Sequence, residues 1–121
     1  MGDPVRGEYF ADQSLPFVYS ASQTRLPVYS RKDEIIESII KNQVTIISAA
    51  TGSGKSTQIP LYILEFNRKA LILCSQTKRA AAKGLCRSVQ ALMNGVPVGY
   101  HFRGESDIEG KNIVYLTEGN F

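Results

Sequence analysis

Residues 49 to 57 read Ala49-Ala50-Thr51-Gly52-Ser53-Gly54-Lys55-Ser56-Thr57. The stretch follows a β-branched run, Val44-Thr45-Ile46-Ile47-Ser48, and precedes an amphipathic pattern from Gln58 to Phe66. Few local paths satisfy all three segments: a strand, a tight glycine loop, and a helix that begins on the loop. The glycines let the backbone curl so that several N–H groups point into one concavity. The helix N-terminus adds its partial positive charge there. Such a loop holds phosphate. Thr51, Gly52, Ser53, Gly54, Lys55, Ser56 and Thr57 are the expected nucleotide contacts. Among them Lys55 reaches the β- and γ-phosphates, Ser56 ligates Mg²⁺, and Thr57 lies near the α-phosphate. Ala49 stands where such loops usually start with glycine, and it is small enough to leave the loop intact. A plain glycine turn between strand and helix would have no need of Lys-Ser in this register.

With 121 residues the chain is one domain or part of one. No run approaches the 18 apolar residues of a membrane span, and the first residues lack an apolar signal segment, so an intracellular chain, cytoplasmic or nuclear, is expected. Cys74 falls at the end of an apolar strand pattern and Cys86 on the apolar side of a helical one, as buried free thiols do. A single histidine, His101, and the absence of a Cys-x-x-Cys pair argue against structural zinc. The net charge of +3 conceals an asymmetry: Arg68, Lys69, Lys78, Arg79, Lys83, Arg87 and Arg103 all lie between Glu65 and Glu105, a stretch without one acid. Such a block is either a solvated face or a surface for a polyanion.

Along the chain, residues 1–25 carry Gly2, Pro4, Gly7 and Pro16 without sustained periodicity and read as a flexible lead-in, with an extended piece at Phe17-Val18-Tyr19. Ser30 with Asp33 suggests a capping box, and Ile35, Ile36, Ile39 and Ile40 form one helical face ending near Asn42. Pro60 removes a hydrogen bond from the helix after the loop unless it lies in the first turns. Ala70-Leu71-Ile72-Leu73-Cys74 is uniformly apolar, as a strand buried on both faces would be. From Arg79 to Met93, Ala82, Leu85, Cys86, Val89, Leu92 and Met93 share one face beside a basic stripe, and Asn94-Gly95 ends the helix. Pro97–Phe102 and Asn112–Leu116 read as strands around an acidic turn, Gly104–Gly110. The alternation implies an α/β fold, a P-loop nucleotide-binding domain with a mainly parallel sheet flanked by helices.

Three segments together resemble the DEAH-box family of RNA helicases. Leu26-Pro27-Val28-Tyr29, then Ala50 through Gln58-Ile59-Pro60, is similar to that family's motif I with its trailing Gln-Ile-Pro. Ser75-Gln76-Thr77-Lys78-Arg79-Ala80-Ala81-Ala82 resembles motif Ia, usually Thr-Gln-Pro-Arg-Arg. Tyr115-Leu116-Thr117-Glu118-Gly119 resembles motif Ib, usually Tyr-Met-Thr-Asp-Gly. Thr77 replaces a proline and Lys78 an arginine, which keeps the charge of motif Ia but loses one planar fork for phosphate. Where relatives stack an arginine on adenine, the alignment places Ser88, with Arg87 one position early. The form of the loop and this early Arg87 are also similar to the Tudor-domain helicases of the spindle-E type.

The resemblance implies that residues 26–121 are the first part of a RecA-like ATP-binding domain, ending before the Asp-Glu-Ala-His motif. ATP and Mg²⁺ are then the ligands, held by Lys55 and Ser56. Single-stranded RNA is the partner, its backbone contacted by Ser75, Lys78, Arg79 and Thr117. A second RecA-like domain in the parent protein would close on the nucleotide, and the fragment alone would be inactive. A small nucleotide or metabolite kinase also begins strand, P-loop, helix, but Ser75-Gln76-Thr77-Lys78-Arg79 suits it less well. A truncated, non-enzymatic product is the third reading. Asn112 to Glu118 would serve as a metal-binding strand only with an acid where Thr117 stands.

Overall fold

The computed structural model describes residues 17–117. Gly2, Pro4, Gly7 and Pro16, and Glu118 and Gly119 of the third motif, lie outside them. In chain order the elements are α1 (Ala21–Thr24), a 3-10 turn (Pro27–Arg31), α2 (Lys32–Lys41), α3 (Lys55–Phe66), β1 (Ile72–Gln76), α4 (Arg79–Leu92), β2 (Val98–Phe102), β3 (Glu105–Asp107) and β4 (Ile113–Thr117). The sheet order is β1-β4-β2-β3. β4 pairs in parallel with β1 and with β2, and β3 returns antiparallel to β2. The α/β fold with a mainly parallel sheet is therefore present.

One sheet face presents Ile72 and Cys74, Ile113 and Tyr115, and Val98, Tyr100 and Phe102. Leu61 and Leu64 of α3, and Ala82, Cys86 and Val89 of α4, pack against it. The 3.6-residue period expected for α4 is thus realised, with Leu85 and Met93 at the margin. Burial pushes the Cys74 thiol up to about 12 and raises that of Cys86. Both are free thiols with little tendency to ionise.

Residues 17–25, expected in a flexible lead-in, pack onto the domain instead. Phe17 joins the core, with the Arg68 guanidinium 4.3 Å from its ring centroid. A capping box starts α1: the Ser20 hydroxyl accepts from the Gln23 backbone N–H, and Gln23 reaches back to Ser20. Tyr19, Tyr29 and Tyr62 surround the Lys32 ammonium at 5.2, 5.8 and 5.9 Å from their ring centroids. That ammonium and the Tyr19 hydroxyl both donate to Glu65 Oε1, at 2.8 and 2.9 Å. Cation–π attraction and this half-buried ion pair fasten the strap before α2 to α3.

Other local expectations are corrected. Ser30 does not cap a helix; its hydroxyl donates to the Pro27 carbonyl, and the 3-10 turn leads directly into α2. Ile35 is buried, but Ile40 is mostly exposed. β1 is not buried on both faces, because it lies at the sheet edge, with Leu71 68% and Leu73 55% exposed. The acidic turn contains a three-residue strand, β3, because Gly104 turns at φ 84° and brings Glu105 opposite Phe102. Residues 44–48, expected as the first strand, join no ladder: among the described residues no strand lies beside them to exchange hydrogen bonds. Ile46 is 92% exposed, while Ile47 packs toward Val28 and Ile35.

Candidate nucleotide and nucleic-acid site

The glycine loop emerges from residues 44–50 and ends on α3. Gly52 and Gly54 adopt φ 85° and 93°, a region that side chains rarely tolerate, and this turns the backbone twice within three residues. A Cβ at Gly54 would also lie 2.7 Å from Leu26 Cδ1, so the strap presses on the loop. The Val28 N–H donates to the Ser53 carbonyl at 3.3 Å, a second point of support. Leu26 and residues 50–57 line a concavity of about 450 Å³. The first turn of α3 has no i−4 acceptors for its N–H groups and contains no acidic residue, so its positive pole faces this space uncompensated.

Within the loop the side chains divide. Lys55 and Ser56 are exposed at the rim, and the Lys55 ammonium donates to the Ala49 carbonyl at 3.2 Å. That bond joins an exposed cation to a neutral acceptor, and phosphate oxygens would displace it. Ser53 behaves otherwise. It is buried, its Oγ has no partner among the described residues, and its backbone N–H donates to the Ala50 carbonyl at 3.1 Å. The loop thus fits a polyphosphate through backbone N–H groups and one ammonium. For a divalent cation the chain offers the Ser56 hydroxyl; no cluster of three His, Cys, Asp or Glu exists among the described residues. Phosphate oxygens would complete such a cation's shell.

Pro60 lies in the second turn of α3 and cannot donate to the Ser56 carbonyl four residues back. Tyr115 on β4 fills the vacancy, its hydroxyl donating to that carbonyl at 2.6 Å. Burial raises the Tyr115 pKa far above neutrality, so the hydroxyl stays a donor throughout the physiological range. Tyr115→Phe is expected to lower stability by about 1 kcal/mol, with an unchanged denaturant slope, as read from urea unfolding.

The expected nucleic-acid residues gather at one end of the parallel strands. Ser75 is exposed near the end of β1, Lys78 is the residue before α4, and Arg79 opens that helix. Lys78 and Arg79 make no ion pair among the described residues; the Arg79 guanidinium stands 6.0 Å from the Phe102 ring centroid. Thr117 ends β4, but the register pairs it with Gln76, while Ser75 opposes Leu116. Thr117 therefore projects to the opposite sheet face from Ser75, and it is buried at 6% exposure. Ser75, Lys78 and Arg79 follow one another along the turn from β1 into α4, and Thr117 lies on the opposite sheet face from Ser75. Elsewhere the basic block is dispersed: Lys83 pairs with Glu105 at 2.7 Å and Arg68 is buried. Arg87 and Ser88 are both exposed on α4.

No family model matches the chain. It is 39% identical over 114 residues to a DExH-box ATP-dependent RNA helicase of Arabidopsis thaliana, covering 90% of this chain and 11% of that protein. It is 36% identical over 110 residues to RNA editing associated helicase 2 of Trypanosoma brucei brucei, covering 84% of this chain and 5% of that protein. In structure it is similar to the Escherichia coli DEAH/RHA helicase HrpB, with a TM-score of 0.71 and 29% identity over 78% of this chain and 13% of that one. The chain spans about a tenth or less of the length of the curated relatives it matches. With the motif I-like loop on its strap and the motif Ia-like turn at the sheet end, this chain is similar over most of its length to a segment of DEAH/DExH-box RNA helicases.

Proposed function

We propose that residues 26–121 form the ATP-binding first part of the first RecA-like domain of an ATP-dependent, intracellular RNA helicase. The observation that carries this reading is the glycine-turned concavity at an uncompensated helix N-terminus, with Lys55 on its rim. Backbone N–H groups of residues 51–57 hold the phosphates, Lys55 neutralises the β- and γ-oxygens, and Ser56 takes Mg²⁺ together with them. A second RecA-like domain in the full protein closes over the nucleotide, and the opening and closing of that cleft moves single-stranded RNA.

Ser75, Lys78 and Arg79 bind the RNA backbone without reading sequence, with Thr117 ending the neighbouring strand at the same sheet end. Arg87 or Ser88 lies where relatives stack on adenine. No helix among the described residues is long and apolar enough to cross a membrane. The reading is tested by RNA affinity over a salt series in the full-length helicase. Arg79→Ala is expected to weaken different single-stranded sequences equally and to reduce the slope of log K against log salt by about 0.7, one phosphate contact. An unchanged slope would leave Arg79 as ordinary surface.

A further inference from the structure

The strap before the loop contains a hydrogen-bond chain that phosphate binding alone does not explain. Gln23 and Gln58 are both 0% exposed, and their amides meet in the interior between α1 and α3. Gln23 Oε1 lies 2.9 Å from the Ser20 backbone nitrogen. A backbone N–H can only donate, so this contact decides which end of the Gln23 amide is oxygen. Gln23 Nε2 must then be the donor toward Gln58 Oε1, at 3.1 Å. Gln58 is oriented in turn: its Nε2 donates to Thr57 Oγ1 at 3.0 Å. The Thr57 hydroxyl sends its own proton to the Gly54 carbonyl at 3.3 Å. One direction of donation runs from Ser20 through Gln23, Gln58 and Thr57 to Gly54.

The end of the chain is the sensitive point. The Gly54 carbonyl also accepts the first helical bond of α3, from the Gln58 backbone N–H at 2.8 Å. Held by two donors, it lies along the helix axis. Turned the other way, its oxygen would face the phosphate oxygens with like partial charge. We propose that Gln23 is a positioning residue for the nucleotide site: it sets the polarity of a buried hydrogen-bond chain that commits the Thr57 proton to the Gly54 carbonyl and keeps that carbonyl out of the phosphate concavity. This rests on the reading of the loop as a nucleotide site. It also assigns Thr57 a division of labour, its hydroxyl serving the loop and its backbone N–H the ligand.

The test is a mutant cycle on the full chain, read by ATP affinity and by the unfolding midpoint without nucleotide. Gln23→Met keeps the length of the side chain but removes both donor and acceptor, and Thr57→Val removes the hydroxyl at the far end. Gln23→Met is expected to weaken ATP binding about five- to tenfold, and in the Thr57→Val background to have no further effect. A merely structural glutamine would lower the midpoint and weaken affinity by the same factor in both backgrounds. That result, or unchanged affinity in Gln23→Met, overturns the proposal. Should Gln23→Met fail to fold, Gln58→Met breaks the chain one link later and must show the same dependence on Thr57. Wild-type binding no tighter than that of Lys55→Ala would refute the nucleotide site itself, and the proposal with it. Lys55-dependent binding indifferent to Gln23 and Gln58 would refute the proposal alone.

Discussion

Lys55→Ala is expected to reduce affinity for ATP by at least about a hundredfold, in effect abolishing binding at ordinary nucleotide concentrations. The ammonium is the loop's one cationic side chain, and each charge-assisted bond it makes to phosphate contributes about 1.5–3 kcal/mol. One or two such bonds account for the hundredfold loss. Because Lys55 is exposed and its ammonium hydrogen-bonds a neutral carbonyl, that of Ala49, its removal should leave the fold unchanged. Titration with a fluorescent ATP analogue, alongside circular dichroism, separates the two effects. Lys55→Arg keeps the charge but spreads it over a planar fork, and is expected to recover only part of the affinity. Equal affinity in wild type and Lys55→Ala would remove this residue from the site.

The largest effect on stability is expected at Gly99. It is buried in β2, and a Cβ built there would lie 1.9 Å from the Asp107 carbonyl oxygen and 2.9 Å from Lys111 Cγ. The lysine chain can move aside, but the carbonyl belongs to β3, paired in register with β2, so the ladder itself would have to shift. Gly99→Ala should therefore cost about 3 kcal/mol, at the upper end for an overpacked position. Gly84 supplies the matched control. It lies inside α4 with nothing within 4 Å of the added atom. Gly84→Ala is expected to gain about 0.5–1 kcal/mol through helix propensity. Urea midpoints of the two variants should move in opposite directions, and a Gly99→Ala midpoint equal to wild type would show that β3 yields easily.

The glycine loop was legible in the sequence because its residue types are dense and local, each needed within a turn of the next. The apolar face of α4 was legible for a similar reason, since a period of 3.6 written over fourteen residues admits few other readings. What escaped depends on distant partners. Nothing near Gln23 announces that its amide will meet Gln58, although Ser20-x-x-Gln23 is itself a capping signature that would have placed α1. The apolar run around Leu73 looked like a strand buried on both faces, but burial depends on which strand lies beside it, and hydropathy does not record that. Residues 44–48 misled in the same way: a strand needs a neighbour as well as a propensity. Ser75 and Thr117 were placed together because both end strands at one edge, and the pairing register, invisible in either segment alone, sets them on opposite faces.

Pro60 and Tyr115 illustrate how such a distant partnership constrains sequence change. In most helix interiors, proline to alanine would be a gain, since it restores an N–H and removes a steric clash. Here the restored N–H would share the Ser56 carbonyl with the Tyr115 hydroxyl, as the Gly54 carbonyl is shared by a hydroxyl and a helical N–H. Tyrosine to phenylalanine, alone, strands the same carbonyl. The loss on tyrosine to phenylalanine therefore depends on residue 60: with alanine there, the restored N–H satisfies the carbonyl above an apolar ring. The positions are therefore epistatic: the hydroxyl of the strand tyrosine is needed only while the Gln-Ile-Pro tail keeps its proline.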